Sequence, residues 1–204
     1  TNERPALKRP VRYELDVRSS TLNELAERLR ESDEAAFVEI YDRVREPVAR
    51  HVVRILDDES GAYDVVQDVF MKLWEDRSTL HITVSFKALI YTMARNRAIN
   101  LKLKNARLSL DVDVIEASDR RLAAQSPEHD FVAKELSRRL HKWIDELPPR
   151  RGEAFVLSRF HGLKHKEIGE IMGLSLRTVE THILDALRDL RRKYDALETS
   201  GAES

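Results

Sequence analysis

Cysteine is absent from this 204-residue chain. Disulfides and thiol chemistry are therefore excluded, and we expect a protein of the reducing cytoplasm. Glycine and proline are scarce, with six of each, which disfavours a many-stranded protein and favours long helices. No apolar run approaches the roughly 18–20 residues that a membrane-spanning helix needs. We therefore expect no stable insertion into a membrane.

The charged residues are divided into blocks of one sign, although the whole chain has 35 basic and 36 acidic side chains. Residues 86–107 contain six basic side chains and no acid, whereas residues 22–77 contain eight basic and fifteen acidic side chains. A solvated helix face normally mixes both signs, so the blocks indicate several partners of different charge.

Caps and apolar periodicity predict an all-α protein. The predicted helix starts in the first half are a T-x-x-E capping box at Thr21, then Glu34, Pro47, Ser60 and about Thr83. After them, the segment LSLDVDVI has no helical period; it reads as part of an extended linker. Its alternation also fits a short strand, but no second strand is evident to pair with it.

This pattern predicts two small helical domains joined by an acidic linker. The predicted divisions are a flexible basic arm (1–20), a first domain (21–107), a linker (108–126), a second domain (127–195) and a disordered tail (196–204). Ser126 followed by Pro127 is typical of a helix start and opens the second domain.

Residues 165–192 have the pattern of a helix-turn-helix. Gly169 is small where two helices cross, Gly173 suits a turn with positive φ, and Ser175 can cap the second helix. The residues expected to bury one side of that helix are Leu176, Val179, Ile183, Leu187 and Leu190. The opposite face carries Arg177, Thr178, Thr181, Arg188 and Arg192, which suits reading of a major groove.

The basic stretch 86–107 also has two faces. Phe86, Leu89, Ile90 and Met93 form the expected buried stripe, and Tyr91, Arg95, Ala98 and Lys102 share the opposite side, flanked by Asn96 and Asn100. An aromatic ring beside cationic side chains suits a nucleic-acid strand, because the ring stacks a base and the cations meet phosphates.

The preceding helix carries a stripe of different chemistry. Asp64, Gln67, Asp68 and Met71 lie at i, i+3, i+4 and i+7, away from most of the apolar residues of that helix. Phosphate would repel such a stripe, so we expect it to contact a basic protein helix.

Two segments resemble bacterial sigma factors of the sigma-70 family. YDVVQDVFMKLWEDR followed by FKALIYTMARNRAINLK resembles region two. LPPRRGEAFVLSRFHGLKHKEIGEIMGLSLRTVETHILDALRDLR resembles region four. The resemblance covers roughly residues 22–194. The chain lacks a segment like region three and has only a short linker, and in this it is similar to the extracytoplasmic-function (ECF) group. The form SRFHG…TVETHI resembles the FecI-type subgroup.

The resemblance implies a factor that binds core RNA polymerase and directs promoter-specific initiation of transcription, with no catalytic residues, cofactor or metal. The implied partners are the β′ clamp helices and β flap of the polymerase, promoter DNA and, as a further candidate, an anti-sigma factor. It places Asp64, Gln67 and Asp68 at the clamp helices, where Met71 continues the stripe. The loop 76–85 would take up a flipped base, and the acidic linker would occupy the polymerase's RNA path.

The resemblance also implies two DNA-binding sets. The set for the minus-ten element is Arg95, Asn96, Arg97, Asn100, Lys102 and Lys104, and Tyr91 joins it from the same helix face. The set for the minus-thirty-five element runs from Ser175 to His182 and includes Arg177, Thr178 and Thr181; Arg188 joins it from the outer face of the helix.

Two other classes of protein remain as alternatives. A two-domain regulator with a LuxR-like output domain also fits TVETHI, but it predicts a ligand-binding or phosphorylation domain with alternating strands and helices, which residues 22–107 do not indicate. An enzyme is disfavoured because no phosphate-binding loop or nucleophile-elbow motif occurs. His161 and His165 lack the H-E-x-x-H pattern of a zinc site.

Overall fold

The computed structural model describes residues 21–110 and 131–201, and over these ranges the chain forms eight α-helices and no strand. They are α1 (Leu22–Arg30), α2 (Glu34–Leu56), α3 (Glu59–Glu75), α4 (Phe86–Leu110), α5 (Phe131–Asp145), α6 (Pro149–Arg159), α7 (His165–Met172) and α8 (Leu176–Gly201). The all-α prediction is confirmed. The predicted arm and residues 111–126 of the predicted linker lie outside the described residues. Among the helices described, none is long and apolar enough to cross a membrane.

Helices α1 to α4 form the first domain around an apolar core. The predicted capping box of α1 is present: the Thr21 hydroxyl accepts from the Glu24 N–H at 3.2 Å, and the Glu24 carboxylate accepts from the Thr21 N–H at 2.7 Å. The Phe70 ring meets those of Phe37 and Tyr41 edge-on, with centroids 5.9 and 4.8 Å apart. The predicted buried side of α3 is confirmed, with Val65, Val66, Val69, Phe70 and Leu73 in the core.

The predicted helix start at Pro47 is wrong, because α2 continues through this residue. An interior proline removes one backbone hydrogen bond and costs about 3 kcal/mol. Val44 precedes Pro47 and Val48 and Val52 follow it, and all three are buried in the same core. Burial on both sides of the proline keeps the two halves of α2 on one axis, so packing overrides local propensity.

Two other helix starts differ from the predicted ones because different side chains cap the helices. The Asp58 carboxylate accepts from the Ser60 N–H at 3.1 Å, so Asp58 rather than Ser60 caps α3. Helix α4 begins at Phe86 instead of about Thr83. The Ser85 hydroxyl caps it by accepting from the Ala88 N–H at 3.0 Å.

Helices α5 to α8 form the second domain, in which α7 and α8 are the predicted helix-turn-helix. Gly173 ends α7 with φ 64°, a value that favours glycine. The Ser175 hydroxyl then accepts from the Thr178 N–H at 3.1 Å and caps α8. A Cβ atom on Gly169 would lie only 2.8 Å from the backbone oxygen of Leu174. The small residue is therefore needed where α7 meets the turn.

Helix α8 differs from the prediction in its buried side and in its length. Val179, Ile183 and Leu190 are buried as expected, but Leu176 and Leu187 are 51% and 38% exposed. Ala186 completes the buried stripe, and Leu187 is rotated about 100° from it. The helix also reaches Gly201, so residues 196–201 are helical although we predicted a disordered tail there.

The two domains pack against each other in this structure. Helix α4 of the first domain lies along α7 of the second, and buried residues from both domains, such as Phe86 and Ile168, belong to one continuous apolar cluster. Two faces of α4 are therefore covered, one by its own domain and one by the other.

We predict that Gly169→Ala destabilises the protein by about 1–3 kcal/mol, the usual cost of overpacking. An alanine in place of a helical glycine ordinarily stabilises by up to about 1 kcal/mol, so the expected effect has the opposite sign. Urea unfolding followed by circular dichroism measures it. Lys166→Ala, at an exposed position of the same helix, is the control. A gain in stability for Gly169→Ala would contradict the close approach of Leu174.

Candidate functional site

Helix α3 presents the predicted stripe to solvent. Asp64, Gln67, Asp68 and Met71 are all exposed, and Met71 is 55% exposed despite being apolar. Beside the stripe, α2 and α3 enclose a groove of about 570 Å³. Its lining is mostly apolar and consists of Phe37, Val38, Tyr41, Phe70, Met71 and Trp74, with Glu34 and Gln67 also present. The surface can therefore accept an apolar side chain inside a polar rim.

Most of the side chains predicted to contact the minus-ten element lie on the outside of α4. Asn96, Arg97, Asn100 and Lys104 are exposed. Arg97 forms an exposed ion pair of 2.5 Å with Asp68 of α3, and Lys102 donates to the backbone oxygen of Ile55 at 2.6 Å. The basic face of α4 and the acidic stripe of α3 thus meet along one edge.

Tyr91 and Arg95 are not on that outer face, and the expectation that they are exposed is corrected by the structure. Tyr91 is 0% exposed and the Arg95 side chain 14%. Periodicity placed them opposite the stripe that α4 buries in its own domain, but the second domain covers this opposite side. Ala98 is buried as well, whereas Leu89 and Met93 of the expected core stripe are only partly buried.

Polar side chains from both domains surround Tyr91 and Arg95. The Tyr91 hydroxyl shares a hydrogen bond of 3.1 Å with Nδ1 of His161, whose backbone oxygen accepts from the Lys87 ammonium group at 2.6 Å. The Arg95 guanidinium donates from Nε and Nη2 to the two carboxylate oxygens of Glu153, at 2.7 and 3.2 Å. This two-point contact is the strong form of an arginine–carboxylate pair.

The two histidines in this interface are held in the neutral form. Burial lowers the pKa of His51 to about 3, helped by the charge of Arg95, and burial also lowers the pKa of His161 to about 3. Nε2 of His51 lies 3.8 Å from the Glu153 carboxylate. Because His51 is neutral and Arg95 already neutralises that carboxylate, the contact is not an ion pair. Burial likewise raises the pKa of the Tyr91 hydroxyl above its usual range.

The second helix of the helix-turn-helix exposes its predicted outer face. Arg177, Thr181 and Arg188 are exposed, while Thr178 and His182 are partly buried. The Thr181 hydroxyl donates to the Arg177 backbone oxygen at 2.9 Å. Arg188 pairs with Asp185 at 3.0 Å.

Comparison with known proteins assigns both domains. Residues 40–108 match the family described as Sigma-70 region 2, and residues 137–190 match Sigma-70, region 4. The ECF RNA polymerase sigma factor SigK of Mycobacterium ulcerans is 27% identical over 180 residues, which cover 88% of this chain and 96% of the relative. The chain belongs to the ECF group of the sigma-70 family. It is a transcription-initiation factor and not an enzyme.

A second relative of this sigma factor agrees. The RNA polymerase sigma-H factor of Pseudomonas aeruginosa is 26% identical over 170 residues, which cover 80% of this chain and 88% of the relative. The match of both sigma regions disfavours the alternative of a LuxR-like regulator, because region two occupies the place where that alternative requires a ligand-binding or phosphorylation domain.

Two solved structures share the fold of the sigma factor. CnrH, in complex with the cytosolic domain of CnrY, has a TM-score of 0.61 and 21% identity, and covers 86% of this chain and 99% of that chain. RpoE of Bartonella quintana, in complex with the anti-sigma factor NepR, has a TM-score of 0.62 and 22% identity, with coverages of 76% and 94%. At these identities the likeness concerns the fold alone.

Sequence reasoning missed the role of His51, Glu153 and His161. Each of them contacts a residue of the other domain, and the contact pairs lie 58 to 102 positions apart along the chain. No local pattern marks such residues in one sequence. The unmixed charge of α4 was the only indication that the helix needs acidic partners.

We predict that acidification below about pH 6.5 destabilises the closed structure, in which the two domains pack together, through His51 and His161. Their pKa values are lowered to about 3 in the folded protein, so between pH 6.5 and pH 3 the unfolded chain binds protons that the folded chain does not. The contribution of the two histidines to the free energy of unfolding is fully present above pH 6.5. Below this pH, the free energy of unfolding falls by up to about 1.4 kcal/mol per pH unit for each histidine. Urea unfolding at a series of pH values between 7.5 and about 5, above the range in which carboxylates titrate, measures this slope.

The double variant His51→Phe and His161→Gln tests the assignment. Phenylalanine fills the His51 site, and glutamine keeps a hydrogen-bonding group for Tyr91. The slope below pH 6.5 should become shallower in this variant, and His81→Gln, at an exposed position, is the control. An unchanged slope in the double variant would contradict a neutral, buried pair.

Proposed function

We propose that this ECF sigma factor, as a FecI-type member of the group, binds core polymerase through α3, the minus-ten element through α4 and the minus-thirty-five element through α8. We place this activity in the cytoplasm. The observation that carries the proposal is the edge where Asp68 of the acidic stripe meets Arg97 of the acid-free helix. Two adjacent helices of one small domain thus offer surfaces of opposite charge, one for a basic protein and one for DNA.

The α3 surface suits an amphipathic, basic helix. Asp64 and Asp68 supply negative charge, Gln67 supplies hydrogen bonds, and the groove next to Met71 accepts an apolar side chain. Interfaces combine an apolar centre with a polar rim in this way. We assign the surface to the β′ clamp helices of the polymerase. The β flap is the corresponding partner that we assign to the second domain.

The α4 surface suits a single DNA strand. Asn96 and Asn100 can hydrogen-bond base edges, and Arg97, Lys102 and Lys104 can neutralise phosphates, the main source of affinity for nucleic acid. Tyr91 and Arg95 belong to the same proposed set. Their burial under the second domain requires that the domains separate before the two side chains meet DNA.

The α8 surface suits the major groove of duplex DNA. Arg177 and Thr181 project from the first two turns of α8, where a helix-turn-helix contacts base edges. Ser175 caps the helix and holds these turns in place. An anti-sigma factor is a further candidate partner, because RpoE of Bartonella quintana, which shares the fold, forms a complex with the anti-sigma factor NepR.

We predict that changing Asp64 and Asp68 to arginine abolishes association with core polymerase. Both side chains are exposed, and the pair of Asp68 with Arg97 is a surface pair, so the fold should tolerate the change. Co-purification with core enzyme, beside a melting curve, measures the effect. The matched control replaces two exposed acids outside α3, Glu31 and Asp42, with arginine and makes the same change in charge. If the α3 variant binds polymerase as the parent does, the assigned docking surface is wrong.

We predict that Arg177→Ala costs about 1–3 kcal/mol in binding to the cognate minus-thirty-five element and relaxes the preference at one base pair. Selection from a promoter library with the reconstituted holoenzyme measures both effects. Arg191→Ala, at an exposed position further along α8, is the control and should leave the sequence preference intact. An unchanged preference for Arg177→Ala would remove this residue from the reading surface.

A further inference from the structure

Arg95 is held by the second domain in the way that an arginine holds a phosphate. Two of its nitrogens donate to two oxygens of Glu153, and the two side chains are only 14% and 17% exposed. A guanidinium group binds carboxylate and phosphate with the same forked geometry. Because the pair is largely removed from water, water screens the attraction between the two charges less than in a surface ion pair, and loss of either partner would leave the other charge buried alone. Glu153 therefore occupies the donors that the proposed function gives to the DNA backbone.

The ring and the hydroxyl of Tyr91 are also covered by other side chains. Its ring lies against His161 on one side and His51 on another, with centroids 5.5 and 5.6 Å away, and its hydroxyl is bonded to His161. A ring that stacks a base needs a free face. In this structure the Tyr91 side chain has no exposed surface, so a base cannot reach it.

Three further hydrogen bonds across the interface run in the same direction, from a donor of the first domain to an acceptor of the second. Thr83 donates to Glu170, Ser85 donates to Glu167, and Arg54 of α2 donates to Asp145. In each pair the first domain supplies the donor and the second domain supplies a carboxylate. Glu167 and Glu170 thus bring to the segment just before α4 the negative charge that a DNA strand would bring.

We propose that the second domain acts as an internal mimic of the promoter strand, in which Glu153 replaces a phosphate at Arg95 and His161 replaces a base at Tyr91. The closed factor cannot engage the minus-ten strand with these residues until the domains separate. The α3 stripe and the outer face of α8 remain exposed in the closed form, so polymerase and the minus-thirty-five element can bind while Tyr91 and Arg95 are still masked. This inference rests on the proposed function of α4.

The test measures the affinity of the free, full-length chain for a fluorescent, mixed-sequence single-stranded oligonucleotide at low salt. Glu153→Gln keeps the shape of the side chain and removes its charge, so it should open the interface and raise the affinity at least tenfold. The matched control is Glu146→Gln, which makes the same change in charge in the second domain and disrupts an ion pair with Lys193 that lies within that domain. Small-angle X-ray scattering reports the opening independently.

A crosslink provides a second measurement, which does not depend on how well Glu153→Gln folds. The chain has no cysteine, so Thr83→Cys with Glu170→Cys introduces one thiol on each side of a direct contact. A short bismaleimide should hold the domains together and reduce oligonucleotide binding at least tenfold relative to the same variant without crosslinker. Equal binding with and without the crosslink would overturn the proposal.

The outcomes distinguish two ways in which the proposal can fail: the second domain does not cover Tyr91 and Arg95 through Glu153, or these two residues do not bind DNA. If Glu153→Gln neither opens the protein nor raises the affinity, the closed state does not depend on this contact and the proposal is overturned. If the protein opens without a gain in affinity, the proposal is overturned because Arg95 and Tyr91 do not bind DNA. A gain that Arg95→Ala removes in the Glu153→Gln background supports both parts.

Discussion

One largely buried ion pair, between Arg95 of α4 and Glu153 of α6, joins the two domains and constrains how they pack. A buried charge without a partner is costly, so each side chain requires the other as long as the interface is closed. The neutral histidines 51 and 161 and the hydroxyl of Tyr91 fill the space around the pair. They add packing and one hydrogen bond without adding charge. The result is an interface that is stable when complete and costly when half formed.

Charge separation explains how one nearly neutral chain serves several partners. Non-specific affinity for DNA comes from neutralised phosphates. In the closed protein several cations of α4 donate hydrogen bonds to groups of the chain itself. Arg95 donates to Glu153 and Arg97 to Asp68, while Lys87 and Lys102 donate to backbone oxygens. The free factor therefore presents fewer cations than its sequence contains. The acidic stripe of α3 stays exposed, as the docking surface that we propose for a basic protein requires.

Local features of the fold followed the predictions because short-range chemistry decides them. The capping box at Thr21, the positive φ of Gly173 and the cap at Ser175 each need only residues within a few positions. Helix limits were less predictable. Pro47 is a strong local stop signal, yet the buried residues on both sides of it keep α2 continuous, because core packing exceeds the cost of one proline.

The sequence by itself determined that the protein is helical, that it carries the motifs of sigma regions two and four in that order, and that Asp64, Gln67, Asp68 and Met71 form one exposed stripe. Only the tertiary structure decided which face of α4 is free. Periodicity identifies the side that a helix buries in its own domain, and Phe86 and Ile90 obey it. The burial of Tyr91 and Arg95 depends instead on contacts with residues 70 and 58 positions away. Such contacts form only where two domains meet, and no spacing within one helix records them.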